Sequence, residues 1–199
     1  MLEIAVITTL PEPVQKQMTV DEFIALPDDD GVDRMLLQGQ LWEKPMTKRN
    51  RWHAACEAAI TYLLTVWLKS QPKPRGKVFS GEAGFILRGT PGSAVGIDVA
   101  YASHDVISRN DSNTRLIDGV PILAVEILSP NDKQDEVTSK VREYLDVGVA
   151  LVWVVEPVFQ TVTVYRPNER PRLFSGADIL SGDPLMPGLQ LTVDQIFED

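Results

Sequence analysis

Residues 120–130 read VPILAVEILSP, and this stretch decides the fold. Every residue from 120 to 128 is apolar except Glu126, which predicts a strand buried on both faces. A segment with helical periodicity at residues 135–147 and a second apolar stretch, ALVWVVEP at residues 150–157, follow. Strand, helix and strand in this order predict a right-handed crossover between parallel strands. We therefore expect a mixed β-sheet with helices on its faces, of α/β or α+β class.

Glu126 is the residue that a buried strand does not explain. A buried, unpaired carboxylate costs several kcal/mol, so it should be paired, exposed at an edge or bound to a metal. Asp98 raises the same question in the strand-like segment VGIDVAY at residues 95–101. Residues two positions from either acid share its face of the strand, and three of these four are small: Gly96, Ala100 and Ala124. The open space above both carboxylates favours an ion and a substrate over a packed core.

Lys140 is the candidate third member of this group. On the predicted helix, residues 137, 141, 144 and 145 define the buried stripe, and Lys140 lies about 60° from Val137, at its border. A long side chain there can reach towards the sheet. Two carboxylates can hold Mg²⁺ beside a substrate phosphate. A lysine nearby can orient or stabilise the attacking hydroxide. The alternative makes Asp98 a strand-end cap, Glu126 the partner of any basic side chain, and Lys140 a surface residue.

The order of these residues resembles a known family. Asp98, Glu126 followed by ILSP, Lys140, Tyr144 and GVALVWVVEP from Gly148 are similar to the Uma-type restriction endonucleases of the PD-(D/E)xK phosphodiesterase superfamily. The resemblance implies one restriction endonuclease-like domain (residues 19–199), with a mixed β-sheet core flanked by helices. Residues 1–18, which are rich in Pro and Gln after a brief apolar start, are predicted to form an N-terminal arm. The resemblance also implies a Mg²⁺- or Mn²⁺-dependent endonuclease acting on DNA. Asp98, Glu126 and the Ile127 carbonyl would hold the metal, and Lys140 would be the catalytic lysine.

The sequence departs from the family pattern in three places. The proline that usually precedes the aspartate is Ile97, and the lysine that usually stands two residues after the glutamate is Leu128. The resemblance places the missing lysine charge at Lys140. The segment that usually reads ELIDGEL is MLLQGQL at residues 35–41, so three acidic positions are lost.

Two further residues are candidate accessory groups. Glu82 stands between small residues in SGEAGF and is either a metal or water ligand or, as the simpler interpretation, a solvent-facing strand residue. His53 begins a long apolar helix, predicted at residues 53–69, and stands four residues before Glu57. Without a second histidine, a role in capping the helix or touching a phosphate is favoured over metal binding.

Charge is distributed unevenly along the chain. The net charge is −9, yet residues 44–77 contain eight basic residues and one acidic residue, against 11 basic and 27 acidic residues elsewhere. This window is either a phosphate-binding surface or two solvated loops that flank a helix. On the first interpretation, the residues expected to bind nucleic acid are Lys48, Arg49, Arg51, Lys73, Arg75 and Lys77.

Cysteine content and hydropathy predict where the protein is found, and the candidate site suggests its assembly and function. One cysteine, Cys56, and the lack of any apolar run long enough to cross a membrane predict a cytoplasmic protein. One active site per chain acting on a duplex makes a homodimer the expected assembly. The leading hypothesis is a metal-dependent nuclease. The alternatives are a non-catalytic nuclease-fold protein that binds nucleic acid or a protein partner, and a structural dimerisation module in which Glu126 pairs with Lys140.

Overall fold

The crossover predicted from residues 120–157 forms the centre of the molecule. The computed structural model describes residues 17–27, 29–46, 50–111, 113–130 and 132–198. In it, the strands Leu123–Ile127 and Leu151–Glu156 pair in parallel and are joined by the helix Gln134–Asp146. All five residues of the first strand are buried, as its apolar sequence requires.

A large mixed sheet surrounds this pair. In chain order the strands are β1 (Val32–Leu37), β2 (Gln40–Pro45), β3 (Lys77–Arg88), β4 (Ser93–Ala102), β5 (Ile117–Asp118), β6 (Leu123–Ile127), β7 (Leu151–Glu156), β8 (Thr161–Tyr165), β9 (Arg172–Ser175), β10 (Ile179–Ser181) and β11 (Gln190–Thr192). The sheet runs β2-β1-β4-β6-β7-β8-β9, with β3 beside β4 and β5, while β10 and β11 form a separate hairpin.

Helices cover both faces of the sheet. They are α1 (Val20–Ile24), α2 (Arg51–Ser70), α3 (His104–Arg109), α4 (Gln134–Asp146) and α5 (Asp194–Phe197). Alternate residues of β6 point to opposite faces. Val125 packs in the cluster that contains Ile60 and Leu64 of α2, and Ala124 packs in the cluster that contains Tyr144 of α4. The mixed sheet flanked by helices predicted from the sequence is therefore confirmed.

Strand pairing is interrupted along the edge of β4 that faces β1 and β6, and this gap leaves space for a site. Along one edge, β4 pairs with β3 from Ser93 to Ala102. Along the other edge, β1 pairs only at Ala94, and β6 pairs only with residues 99–101. Residues 95–98 therefore have no strand partner on that edge, and their backbone groups must be satisfied by side chains or solvent.

Local predictions are confirmed at several elements and wrong at others. The sequence TVDE at residues 19–22 predicts a capping box, and Thr19 and Glu22 exchange its two reciprocal hydrogen bonds at the start of α1. The polar sequence between β4 and Gly119 predicts a loop, yet it contains α3 and β5. The sequence of the tail predicts mostly loops before a last short helix, yet it also contains β9, β10 and β11. These elements are two to six residues long, too short for a hydrophobic period to be recognised in the sequence.

The predicted N-terminal arm is only partly described, and the described helices are not of the membrane-spanning kind. Residues 1–16 of the predicted N-terminal arm lie outside the described residues. The division into an arm and one domain therefore stays a prediction. In the part of the chain that the structure describes, no helix combines the length and the apolar character needed to cross a membrane.

Candidate active site

Asp98 and Glu126 stand just beyond the paired residues of neighbouring strands. The β4–β6 ladder ends with Val99 opposite Val125, and each acid is the next residue of its strand. Asp98 is 5% exposed and Glu126 is 8% exposed. Both acids line one cleft together with Lys140. The two acids that the sequence singled out therefore meet at one nearly buried cleft.

Asp98 is held from two sides. Its Oδ2 accepts a hydrogen bond of 2.8 Å from the backbone N–H of Ile127, where the β4–β6 ladder ends. Its Oδ1 lies 3.3 Å from Nε2 of His53, a fully buried ring at the start of α2. Burial opposes ionisation of Asp98, but His53, the charge of Lys140 and the Ile127 N–H outweigh it. The pKa of Asp98 is consequently lowered.

Glu126 is held by helix α4. Lys140 Nζ lies 2.5 Å from Glu126 Oε2, and the Tyr144 hydroxyl donates a hydrogen bond of 2.5 Å to Oε1. Lys140 also donates a 3.0 Å bond to the carbonyl of Gly96, within the unpaired stretch of β4. The prediction that Lys140 reaches the sheet across the border of the helix stripe is thus confirmed geometrically. Tyr144, assigned from sequence to the buried stripe, is in addition a direct partner of Glu126.

The protonation of the pair follows from two acids sharing one ammonium. Burial raises the pKa of Glu126 to about 7, and the nearby charge of Asp98 adds to this, although Lys140 and Tyr144 oppose it. Burial alone would lower the pKa of Lys140, but the charges of Glu126 and Asp98 raise it. Lys140 is therefore an ammonium, Asp98 a carboxylate, and Glu126 the group that gains or loses a proton near neutrality.

A β-bulge brings Glu82 to the same cleft. Gly81 and Glu82 both have left-handed backbone angles (φ 78° and 56°) and together oppose the single residue Asp98. A Cβ added to Gly96 would lie 3.6 Å from Cγ of Glu82, so the Glu82 side chain crosses over Gly96. Glu82 also lines the cleft formed by Asp98, Glu126 and Lys140. Glu82 is an exposed residue of β3, as the simpler expectation has it, and it also borders the cleft. Its role as a ligand stays a prediction.

Helix α2 connects this bulge to Asp98. His53 Nδ1 lies 3.8 Å from Glu57 Oε2, and Glu57 Oε1 accepts a 2.5 Å hydrogen bond from the Gly81 N–H. Neither ring nitrogen of His53 has a well-aligned hydrogen bond within the described structure. His53 thus contacts two carboxylates across the start of α2, in addition to standing in its first turn.

Lys44 is a cleft residue that sequence reasoning did not separate from the basic window. It comes from β2, and its Nζ lies near three acids: Glu136 at 2.6 Å, Asp33 at 3.5 Å and Asp132 at 3.8 Å. It lines the cleft with Asp98 and Glu126. The alternating pattern of the β1–β2 hairpin could have placed its strand, but the position of that strand beside α4 depends on tertiary structure.

The basic residues predicted to bind nucleic acid fall at two ends of α2. Arg51 begins the helix and stacks on Trp52, with its guanidinium 4.1 Å from the ring centroid. Lys73, Arg75 and Lys77 follow the other end of this 20-residue helix, about 30 Å away. Lys48 and Arg49 lie outside the described residues.

The three lost acidic positions have different surroundings. Met35 is buried and lines a neighbouring cavity, which shares Glu82 and Lys140 with the cleft of Asp98 and Glu126. Gln38 lies in the β1–β2 turn and donates a 2.9 Å hydrogen bond to Glu143, and Gln40 is exposed. None of these three residues lines the cleft of Asp98 and Glu126 itself.

The oxygen donors at the cleft suit a hard divalent cation. Mg²⁺ in proteins is usually held by one or two carboxylates, with waters and substrate phosphates as the other ligands. Asp98 and Glu126 supply the carboxylates, and Ile127 and Glu82 line the same cleft. Among the residues that the structure describes, no group of three His, Cys, Asp or Glu side chains is gathered closely enough to hold a metal. Further ligands would have to come from solvent, backbone or substrate.

Comparisons with known proteins find a matching family and a similar solved structure. The model of the Uma2 family, described as "Putative restriction endonuclease", matches residues 20–194. A solved structure from Anabaena variabilis ATCC 29413, described as a putative nuclease belonging to DUF820, superposes with a TM-score of 0.73 at 25% identity. The match covers 90% of this chain and 97% of the other. No match was found among curated proteins.

The raised pKa of Glu126 predicts how stability depends on pH. Its folded pKa of about 7 lies above the ordinary 4.5, so between these values the folded state holds a proton that the unfolded state has released. Stability from this group is complete below about 4.5 and is lost as pH rises through about 7. Relative to Glu126→Gln, we expect the wild-type free energy of unfolding to fall by up to about 3 kcal/mol from pH 4.5 to 8.

Urea denaturation at a series of pH values measures this difference. Glu169→Gln, which alters an exposed glutamate far along the chain, should follow the wild-type curve. Parallel curves for the wild type and Glu126→Gln would contradict the assignment of a raised pKa to Glu126.

Proposed function

The chain belongs to the Uma2 family, and on that premise we propose that it is a metal-dependent endonuclease that hydrolyses phosphodiester bonds of DNA. The observation that carries the proposal is the meeting of Asp98, Glu126 and Lys140 at one cleft, on the interrupted edge of β4. The description of the similar Anabaena variabilis protein as a putative nuclease supports the same reaction class.

The proposed metal ligands are Asp98, Glu126 and the carbonyl of Ile127. When bound, Mg²⁺ or Mn²⁺ would acidify a water and neutralise charge on the phosphoryl oxygens. Asp98 suits this role because its lowered pKa keeps it ionised, and the Ile127 N–H fixes one of its oxygens. Tyr144 fixes Glu126 through Oε1. Glu82, on the bulge, is the proposed accessory carboxylate that orients water at the rim of the cleft.

Lys140 is the proposed catalytic lysine. Its ammonium contacts Glu126 and stands within the electrostatic reach of Asp98, so it adjoins both proposed ligands. A fixed positive charge at this place stabilises negative charge that develops on the phosphate during attack by water. His53 acts behind Asp98 as an accessory group, because its ring lies against Oδ1 and is fully buried.

Basic side chains at both ends of α2 are the proposed contacts with the DNA backbone. Arg51 belongs to the end nearer the cleft, and Lys73, Arg75 and Lys77 follow the other end. Lys48 and Arg49, which precede Arg51 in the sequence, are proposed contacts as well. The length of α2, about 30 Å, corresponds to roughly nine base pairs of duplex at 3.4 Å per pair. The two basic groups are therefore separated by a distance that one duplex can span.

We further propose that the enzyme is a cytoplasmic homodimer. Support comes from the outward face of α2, which exposes Trp52 (55%), Tyr62 (68%) and Val66 (50%) at helical spacing. The small residues Ala55 and Ala59 lie on the same face. A two-fold axis near Ala59 would set Tyr62 against Ala55 of a second copy, so large residues would meet small ones.

A second candidate function is a nuclease-fold protein that binds nucleic acid or a protein without cutting. One observation favours it: Glu126 is engaged by both Lys140 and Tyr144. The same ion pair is the feature that a purely structural dimerisation module would need. Cleavage assays separate these functions from the nuclease.

Glu126→Gln and Lys140→Met test the nuclease directly. With Mg²⁺ or Mn²⁺ and plasmid or oligonucleotide DNA, we expect the wild type to cleave and Glu126→Gln to show only background cleavage with an unchanged fold. Lys140→Met should lower kcat by about 10²–10³-fold, because a preorganised charge is lost. Lys69→Met, which removes an exposed lysine of α2, is the matched control and should keep full activity.

Arg51→Ala should raise KM for DNA without changing kcat, since Arg51 is proposed to bind substrate and not to act in hydrolysis.

Undiminished cleavage by Glu126→Gln would remove Glu126 from the mechanism. Absence of cleavage by the wild type with either metal, together with retained DNA binding, would favour the binding function.

Sedimentation velocity tests the homodimer. The wild type should sediment as a dimer, and Tyr62→Glu should shift it to the monomer, because a charge would be placed at the centre of the α2 face. Leu173→Glu, at a residue of β9 that is equally exposed (68%), should remain dimeric. A monomeric wild type, or a Tyr62→Glu variant that stays dimeric, would contradict this assembly.

A further inference from the structure

Helix α4 carries two side chains of the candidate site and packs on the sheet through an apolar stripe. Val141 and Tyr144 are buried in this stripe, and Val137 and Leu145 are partly buried beside them. Its N-cap residue, Lys133, makes no side-chain capping bond. Because apolar packing is not directional, a directional contact is needed to fix the position of Lys140 sharply.

Glu143 supplies such a contact. It is 1% exposed, and its carboxylate accepts four hydrogen bonds. Arg88 donates two of them in a fork, from Nε to Oε1 at 2.9 Å and from Nη2 to Oε2 at 2.8 Å. Ser93 donates a 2.6 Å bond to Oε1, and Gln38 donates a 2.9 Å bond to Oε2. A buried carboxylate with this set of partners is strongly specific in position.

The partners of Glu143 come from three different parts of the sheet. Arg88 ends β3, Ser93 begins β4, and Gln38 lies in the β1–β2 turn. The Ser93 hydroxyl also accepts a 2.9 Å bond from the Gln38 backbone N–H. Turning α4 by one residue would rotate Glu143 by about 100° and break all four bonds. Its register on the sheet is therefore set by these contacts.

Glu143 is three residues from Lys140 and one residue from Tyr144. The helix thus meets the sheet through two polar clusters with opposite arrangements. At one, a sheet carboxylate (Glu126) takes bonds from the helix. At the other, a helix carboxylate (Glu143) takes bonds from the sheet. The second cluster lies outside the cleft and has no place in the proposed chemistry.

We propose that Glu143 is a positioning residue: through Arg88, Ser93 and Gln38 it fixes the register of α4 and so holds Lys140 against Glu126. The catalytic consequence rests on the proposed nuclease function, whereas the geometric consequence does not. At Gln38 an amide N–H donor meets the Glu143 carboxylate, so this contact adds no second negative charge to the buried cluster.

Glu143→Gln tests the proposal, because it keeps the size of the side chain but removes its charge. The readout is the rate of acetylation of each lysine by limiting acetic anhydride, followed by peptide mass spectrometry. In the wild type the Lys140 side chain is 13% exposed and paired, so it should react slowly. We expect its rate to rise about tenfold in Glu143→Gln, as lost charge-assisted hydrogen bonds would allow. Lys69 and Lys77, exposed on other elements, should be unchanged.

Two controls separate positioning from loss of the fold. Asp146→Asn removes an exposed charge from the same helix and should leave Lys140 slow. Adding Arg88→Gln to Glu143→Gln restores a neutral donor and acceptor pair and should return Lys140 towards the wild-type rate. If Glu143→Gln does not fold, Ser93→Ala and Gln38→Ala each remove one partner and should give smaller increases in the same direction.

The nuclease assay adds the catalytic readout. Glu143→Gln should lower kcat about tenfold with an unchanged KM for DNA, because the lysine is displaced and the DNA contacts are not. A folded Glu143→Gln protein with wild-type acetylation of Lys140 would overturn the proposal. An inactive wild type in which Glu143→Gln still exposes Lys140 would overturn the nuclease function and leave the positioning role standing.

Discussion

The meeting of Asp98 and Glu126 at one cleft depends on one constraint, the gap in strand pairing along the edge of β4 that faces β1 and β6. Because β1 and β6 share this edge and leave residues 95–98 without a strand partner, backbone groups there need other partners. Side chains of the site supply such partners on both strands. Lys140 donates to the Gly96 carbonyl of β4, and Asp98 accepts from the Ile127 N–H of β6. The groups proposed to act in catalysis therefore also complete the sheet, which ties the geometry of the site to the stability of the fold.

Two helices stabilise this arrangement from opposite faces of the sheet. Helix α2 contributes His53 behind Asp98 and, through Glu57, holds the bulge that carries Glu82. Helix α4 contributes Lys140 and Tyr144 to Glu126. The electrostatic result is asymmetric, because the pKa of Asp98 is lowered while the pKa of Glu126 is raised to about 7. Two carboxylates whose pKa values are shifted in opposite directions beside one ammonium are typical of functional sites.

Sequence reasoning reached the central part of this structure for identifiable reasons. The apolar run around Glu126 and the helical period around Lys140 are local patterns, and they predicted the crossover, both acids and the lysine. Lys44 and Glu143 act through partners distant in the chain, such as Glu136 and Arg88, so no local pattern marks them. The exposure of Glu82 could be predicted from its strand, but its place beside the cleft could not, because the bulge depends on the register of β3 against β4. Strands β9 to β11 are too short to show a period.

The central claim is that Asp98 and Glu126 together form a divalent-cation site, and direct metal binding tests it without any substrate. Titration of the protein with Mn²⁺, followed by calorimetry or by the electron paramagnetic resonance signal of free Mn²⁺, should show one site per chain. Asp98→Asn should remove that site, whereas Asp105→Asn, at an exposed aspartate of α3, should bind as the wild type does. Equal Mn²⁺ affinity in the wild type and Asp98→Asn would contradict the account.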